Sequence, residues 1–532
     1  MKPALLWLCC LVVFQCSGEA RGTCTVGTDR RTALVAPRHL EATAGQLGPI
    51  PDRPRLIVLA DMGNEPDEMQ QMLHLLICSN EVQLEGLLAV TGKFLHPEHR
   101  LEYKRRLYPD WFHQLIDAYA QVYLNLQLHA RGWHSPEYLR SIVATGQTHY
   151  GVASTGEGRS SPGSRLITAA VTKSDPRPVH VVINAGSNTL AQALRDYRAS
   201  HSPEEVKAFV AKLRVFENQA QDDAGAWICR EFPEIHWIRS RHQTKCYGGP
   251  DNQDLGPHHW KPYAYSPDGQ HAWARENIMT GHGALGALYP ERKIFDEHLH
   301  FIEGGGTIPW MGLVAPGLTD TAEPSWGGWS GRYSAEKVPN VPSPFAEVAK
   351  EEVVFSPYAS YTDFNEVMDR WTDPADGKVY HDVHTPIWPW RVAMWNDFKA
   401  RMDWCVQPFA QANHHPVAAL NGDTGSAILH SSASPGDVLT FDASGSSDPD
   451  HDPLRYRWWI YPEAGRLPYG RPLPLEHAAT DKVTLTIPAD ALGKELHLIL
   501  EVWDHHSIVP LVDYRRAVIE VLPASPAAAI LR

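Results

Sequence analysis

The sequence predicts an α/β protein built on a mostly parallel sheet with flanking helices, followed by a smaller all-β sandwich. Three observations carry this expectation. From residue 55 onward, apolar β-rich runs alternate with helical patterns. Beyond residues 412–416 the helical patterns give way to short alternating strands. A chain of 532 residues is also too long for one ordinary core.

At the start of the chain, Lys2 precedes an apolar run from Leu5 to Phe14, and Gly18-Glu19-Ala20 places small residues where a signal peptidase cuts. Residues 1–20 therefore read as a signal peptide, and the mature protein as secreted, to the medium or a periplasm. The run is shorter than the roughly 20 residues of a spanning helix, so no transmembrane anchor is expected. Cys24, Cys78, Cys229, Cys246 and Cys405 follow the leader. Export permits a disulfide among them, for instance one involving Cys229 and Cys246.

The first domain is placed at residues 52–411. RLIVLA at 55–60 is its first strand. Pro66 suits a helix start, and Met69, Met72, Leu73 and Leu76 recur at helical spacing as a buried stripe. Residues 86–91, 179–184 and 213–216 read as further buried strands, and ligands of such sheets collect at the strands' carboxyl ends. The second domain, 416–523, reads as an Ig-like sandwich from alternating runs at 454–461, 483–487, 496–502 and 517–522. Asp442, Asp448, Asp450 and Asp452 in its turn-rich stretch are ordinary turn chemistry. With 43% hydrophobic and 21% charged residues the composition is globular. A formal net charge of -14 and the lack of a long basic run exclude a nucleic-acid polymer as partner.

Chemistry points first to DMGNEPDE at 61–68. Asp61 leaves a strand end just as Glu65, Asp67 and Glu68 line the turn and the helix start. Carboxylates so crowded repel one another unless a cation or a helix N-terminus compensates, and a hard cation such as Ca²⁺ takes several oxygen ligands. Acids in a first helical turn also serve simply as caps and dipole partners.

That turn resembles the aspartate-rich opening of nucleoside hydrolases. Together with NTLAQAL at 188–194, QDDAG at 221–225, GHGALGALYP at 281–290 and WGGWSGRY at 326–333, it resembles the secreted cellulose-binding, nucleoside-hydrolase-like family that carries a C-terminal Ig-like domain. The resemblance implies a metal-bound water attacking an anomeric carbon, with Asp61 as metal ligand and general base. Asp67, Glu68, the backbone oxygen of Asn188 and Glu303 would complete the metal site. Glu217, Asn218 and Asp222 would hold sugar hydroxyls. Gly305 departs from the pattern, standing where relatives carry Asp.

His282 and His298 are candidate leaving-group acids, since imidazole titrates near neutrality. Aromatic residues crowd the stretch from Trp310 to Trp404, including Tyr333 and Trp395. The Gly-flanked Trp326 and Trp329 are the expected exposed platforms for sugar rings, whereas Trp388 and Trp390 beside Pro389 suit core packing. Two readings follow: a secreted hydrolase of N- or O-glycosyl bonds, and a non-catalytic binder of cellulose or another polysaccharide that grips sugar in a relic pocket. Loss of the Asp at Gly305 favours binding; survival of Asp61, Asp67, Glu217 and Asn218 favours catalysis.

Overall fold

A computed structural model describes residues 53–63, 66–92, 106–246, 273–290, 293–294, 299–300, 305–315, 317–339, 361–372 and 377–524. The leader, Cys24, His298 and Glu303 lie outside the described residues.

The central strand β1 (Arg55–Ala60) is buried at every position. A strand covered on both faces has no solvent side for polar alternation, so its sequence is a continuous apolar run. It pairs in parallel with β2 (Gln83–Ala89) on one side and β4 (Val179–Ile183) on the other. With β3 (Val143–Thr145), β5 (Leu213–Asn218) and β6 (His236–Ser240), these strands lie in the order 3-2-1-4-5-6. Two short strands, β7 (Lys293–Ile294) and β8 (Leu299–His300), form a separate hairpin. The main sheet is extended by β10 (Thr362–Asn365), parallel to β6, and closed by the antiparallel β9 (Val338–Pro339).

Helices cover both faces. On one face α1 (Pro66–Ile77), α2 (Pro109–His129) and α3 (Pro136–Ser141) join the helix Arg391–Trp404 over a core that includes Leu56, Val58, Val182 and Phe216. On the other, α4 (Pro162–Val171), α5 (Asn188–Ser200), α6 (Pro203–Ala211) and α7 (Ala224–Glu231) pack on Ile57, Val181, Val215 and Trp237. At the amino end of the sheet, buried Arg55 grips Glu85 with two hydrogen bonds of 2.8 and 2.9 Å. Burial alone would raise the Glu85 carboxyl, but Arg55 and Lys173 hold it below the ordinary range.

A two-stranded hairpin of β11 (Asp369–Thr372) and β12 (Val379–Asp382) follows. The C-terminal region pairs β15 (Leu454–Tyr461), β17 (Glu495–Asp504) and β18 (Val512–Val521) antiparallel, with β13 (Leu429–Ala433) parallel to β18. The antiparallel pair β14 (Val438–Asp442) and β16 (Lys482–Thr486) contributes Phe441, Val483 and Leu485 to the core they share. Asp448 accepts from the backbone N–H groups of Asp450 and Asp452, as turn chemistry requires.

One sequence expectation needs correction. Cys78, Cys229, Cys246 and Cys405 are all buried thiols and none is in a disulfide, so Cys229 and Cys246 do not pair. Each fills apolar space as a small hydrophobe. The segment 412–416 between the two regions is held in place: Asn413 donates to Asp504 and to the Val509 carbonyl, and His415 reaches Asp397 at 2.8 Å.

Candidate functional site

The strand order reverses direction about β1 and β4, and a parallel sheet opens a crevice where its strands diverge to opposite sides. Asp61, immediately after β1, sits there with no exposed surface. Asn184 follows β4, Asn218 ends β5, and Gln221 lies in the turn beyond; all three are buried. Asn184 donates to Gln71 Oε1 at 2.7 Å and to the Gly306 carbonyl, while Gln221 donates to the Asn184 carbonyl at 2.7 Å. Gly92 lets these groups converge, because a Cβ on it would lie 2.7 Å from Gln221 Oε1 and 3.3 Å from Asp61 Oδ2. Among the described residues, the buried amide oxygens of Asn184, Asn218 and Gln221 have no hydrogen-bond partner. Acceptors therefore exceed donors in the crevice, an arrangement that calls for a ligand rich in hydroxyl donors or for a cation.

Other expected site residues hold the scaffold. Glu217 points to the opposite sheet face from Asn218, as strand alternation demands, and lies beneath α7. Its carboxylate accepts from Ser187 Oγ, Trp237 Nε1 and Tyr361 OH at 2.7–3.2 Å. Glu217 thus has no face for sugar. Asp222 accepts from the backbone N–H groups of Ser187, Asn188 and Ala224, fastening the start of α5 to the β5 turn. Burial and neighbouring Asp223 push its carboxyl up to about 8, against the pull of those donors. His282 bonds Asp403 at 3.1 Å, among the helices rather than at the crevice.

Three of the expected carboxylate ligands of calcium, Asp61, Asp67 and Glu68, lie within the described residues. Among the described residues, Asp61, Asp67 and Glu68 do not bring oxygens within 4.8 Å of one another. Asp67 and Glu68 occupy the first turn of α1, where acids complement the helix dipole. Asn188 is the first residue of α5, so its carbonyl points along the helix and away from the crevice. Gly305 packs on Asn218: a Cβ there would lie 2.7 Å from Asn218 Nδ2, so an Asp at this position would require the amide to shift. What remains around Asp61 is one carboxylate among amide oxygens. The grouping that does come within 4.8 Å, His74, Cys78 and Asp397, lies in helix packing, where Asp397 is already bound by Arg401 and His415.

The aromatic expectation also shifts. Trp326 and Trp329 are 6% and 2% exposed. Trp326 packs edge-on against His497 of β17, and Trp329 donates to Tyr514 of β18, so both seal the joint to the strand-rich region. Their flanking glycines serve close packing, since a Cβ on Gly327 would strike the Tyr461 ring. Trp388 and Trp390 are buried, as core packing predicts. The sequence reading missed Trp371 and Tyr380, half-buried partners across the β11–β12 hairpin. Their rings stack at 6.1 Å, and Tyr380 stacks on Trp388 at 5.8 Å. The alternation of DRWT and VYHD about an Asp-Gly turn was the available signal. Past the carboxyl end of β6, His242 packs edge-on against His384, which ties this segment to the crevice end of the sheet.

The doubly covered sheet and its strand-end crevice define a nucleoside-hydrolase-like α/β protein. Residues 55–333 match the family described as cellulose-binding Sde182, nucleoside hydrolase-like domain, and residues 438–521 match cellulose-binding protein Sde0182, C-terminal domain. The chain belongs to this family of cellulose-binding, nucleoside-hydrolase-like proteins. It is similar to a solved nucleoside hydrolase-related hypothetical protein from Saccharophagus degradans that is associated with carbohydrate metabolism. The identity is 34%, over 88% of this chain and 100% of that one, with a TM-score of 0.73. No curated protein matches the chain.

Proposed function

We propose that this protein is a secreted polysaccharide-binding protein whose strand-end crevice grips the hydroxyl groups of a glucan chain. One observation carries the reading: the buried amide oxygens of Asn184, Asn218 and Gln221, at the same strand-end crevice as Asp61, have no hydrogen-bond partner among the described residues. Sugar hydroxyls supply the missing donors, and the Trp371–Tyr380 stack offers a surface for the apolar faces of further rings. Family membership supports a polysaccharide partner, and no helix among the described residues is long and apolar enough to cross a membrane.

The test is calorimetric titration with soluble cello-oligosaccharides. Gln221→Ala and Asp61→Asn should each weaken binding about tenfold or more, the scale of one lost buried hydrogen bond to a polar ligand. Unchanged affinity in both would remove the sugar from the crevice.

A second reading, hydrolysis of glycosyl bonds assisted by Ca²⁺ with Asp61 as base, is favoured by the same oxygens, which also suit a hard cation. Calcium binding by the EDTA-stripped protein that is lost in Asp61→Ala, together with turnover of a glycoside, would establish it over simple binding.

A further inference from the structure

At the opposite, amino-terminal end of the sheet lies a second, half-open cavity, of about 60 Å³, that the crevice does not use. Three basic side chains stand in register across adjacent strands: His180 of β4 faces Arg214 of β5, which faces His236 of β6. All three line the cavity. One step further along the same strands, Val182, Phe216 and Ile238 form its apolar floor, with Pro309 and Leu313 opposite.

A half-buried guanidinium in such a row is costly unless hydrogen-bond partners or a counter-charge satisfy it. Among the described residues no carboxylate forms an ion pair with Arg214, although the charge of Asp320 acts on it; its Nη1 donates to the carbonyls of Ala211 and Leu213. Arg214 Nε, both ring nitrogens of His236 and Thr319 Oγ1 are buried without a hydrogen-bond partner. Burial and Arg214 hold His180 down to about 3, and burial with Arg214, His180 and Lys337 does the same for His236. The rings are therefore neutral at pH 7, and the row presents one guanidinium flanked by imidazoles. Of the acids of the lining, Glu323 pairs with Arg466 at 3.0 Å, and Asp320, which accepts from the Ala322 N–H at 2.8 Å, is the one whose charge also acts on Arg214.

We propose that this cavity binds a small organic monocarboxylate with a flat apolar body, its carboxylate on the His180–Arg214–His236 row and its carbon skeleton over Val182, Phe216 and Ile238. A cationic head group set against an apolar floor matches that chemistry better than it matches a neutral sugar, which has no charge to place, or a bare inorganic anion, which leaves the floor uncovered.

The experiment is calorimetric titration of the full-length mature protein with trans-cinnamate, glucuronate and inorganic phosphate. Saturable cinnamate binding is expected, about tenfold weaker in Arg214→Met and in the near-isosteric His236→Phe, the scale of one lost charge-assisted hydrogen bond. Melting temperatures near wild type would show that both variants fold. Binding of glucuronate in preference to cinnamate, with the same dependence on Arg214, would support the carboxylate site and replace the flat body with an acidic sugar. Three results overturn the proposal: no binding of either carboxylate, binding unaffected by both substitutions, or phosphate binding as tightly as cinnamate.

Discussion

At the scale of single residues, the crevice separates groups that meet a ligand from groups that hold the frame. Glu217 belongs to the frame. Its three donors and its place under α7 predict that Glu217→Gln destabilises the fold by about 1–3 kcal/mol, the cost of mispairing a buried hydrogen-bonded group. Denaturant unfolding would measure this, with cello-oligosaccharide affinity little changed; a large affinity loss at unchanged stability would return Glu217 to the sugar. The position of Asp61 at a strand end was legible in the sequence, because an acid follows directly on the apolar run 55–60. Glu217 was misread although strand alternation contains the answer: Phe216 and Asn218 share one face, and Glu217 must take the other. Gln221 and Asn184 were not singled out, since neutral amides carry no charge signal and only convergence in space gives them meaning.

At the scale of elements, the β11–β12 hairpin is the candidate stacking surface and the 324–333 segment is the seal. Trp371→Ala should reduce retention on insoluble cellulose while leaving the melting temperature close to wild type, because its ring is half-exposed. Trp326→Ala should do the reverse. Buried beside His497, and with its own carbonyl held by Arg516 at 2.9 Å, Trp326 anchors the joint, and its truncation should cost about 3–5 kcal/mol. Retention assays and thermal unfolding of both variants check the pair. The main strands were readable as apolar runs, but the burial of Trp326 and Trp329 was not, because a Gly-flanked Trp has the same local pattern on a surface as in an interface. Only contacts with Tyr461, His497 and Tyr514, more than a hundred residues away, decide between them.

At the scale of the whole molecule, the α/β sheet and the strand-rich region share a core: Ile499, Val512 and Tyr514 cluster with Trp329, Trp390 and Met402. The sequence announced two folded regions but not how firmly they join, since the linker's polar residues look like those of a tether. Asp397, Arg401 and His415 sit at that joint and make its strength depend on pH. Burial lowers His415, but the hydrogen bond and charge of Asp397 outweigh it and raise the group above its ordinary value. Burial raises Asp397, yet Arg401 and His415 pull it well below the carboxylate range. A raised histidine stabilises fully below about 6.5 and loses that contribution as pH climbs through its folded value; a depressed aspartate contributes above about 3.9 and loses as pH falls. The joint is therefore strongest between these limits. The melting temperature should fall as pH rises from 6.5, and His415→Gln should flatten that slope; an unchanged slope would take His415 out of the account.

The central claim is that sugar hydroxyls satisfy the oxygens around Asp61, and a crystal structure with a bound cello-oligosaccharide tests it most directly. A glucose ring is expected at the carboxyl ends of β1 and β4, its hydroxyls donating to Asp61, Asn184 and Gln221. A saccharide seated only on the strand-rich region or the hairpin, with the crevice free of sugar at saturating ligand, would contradict it.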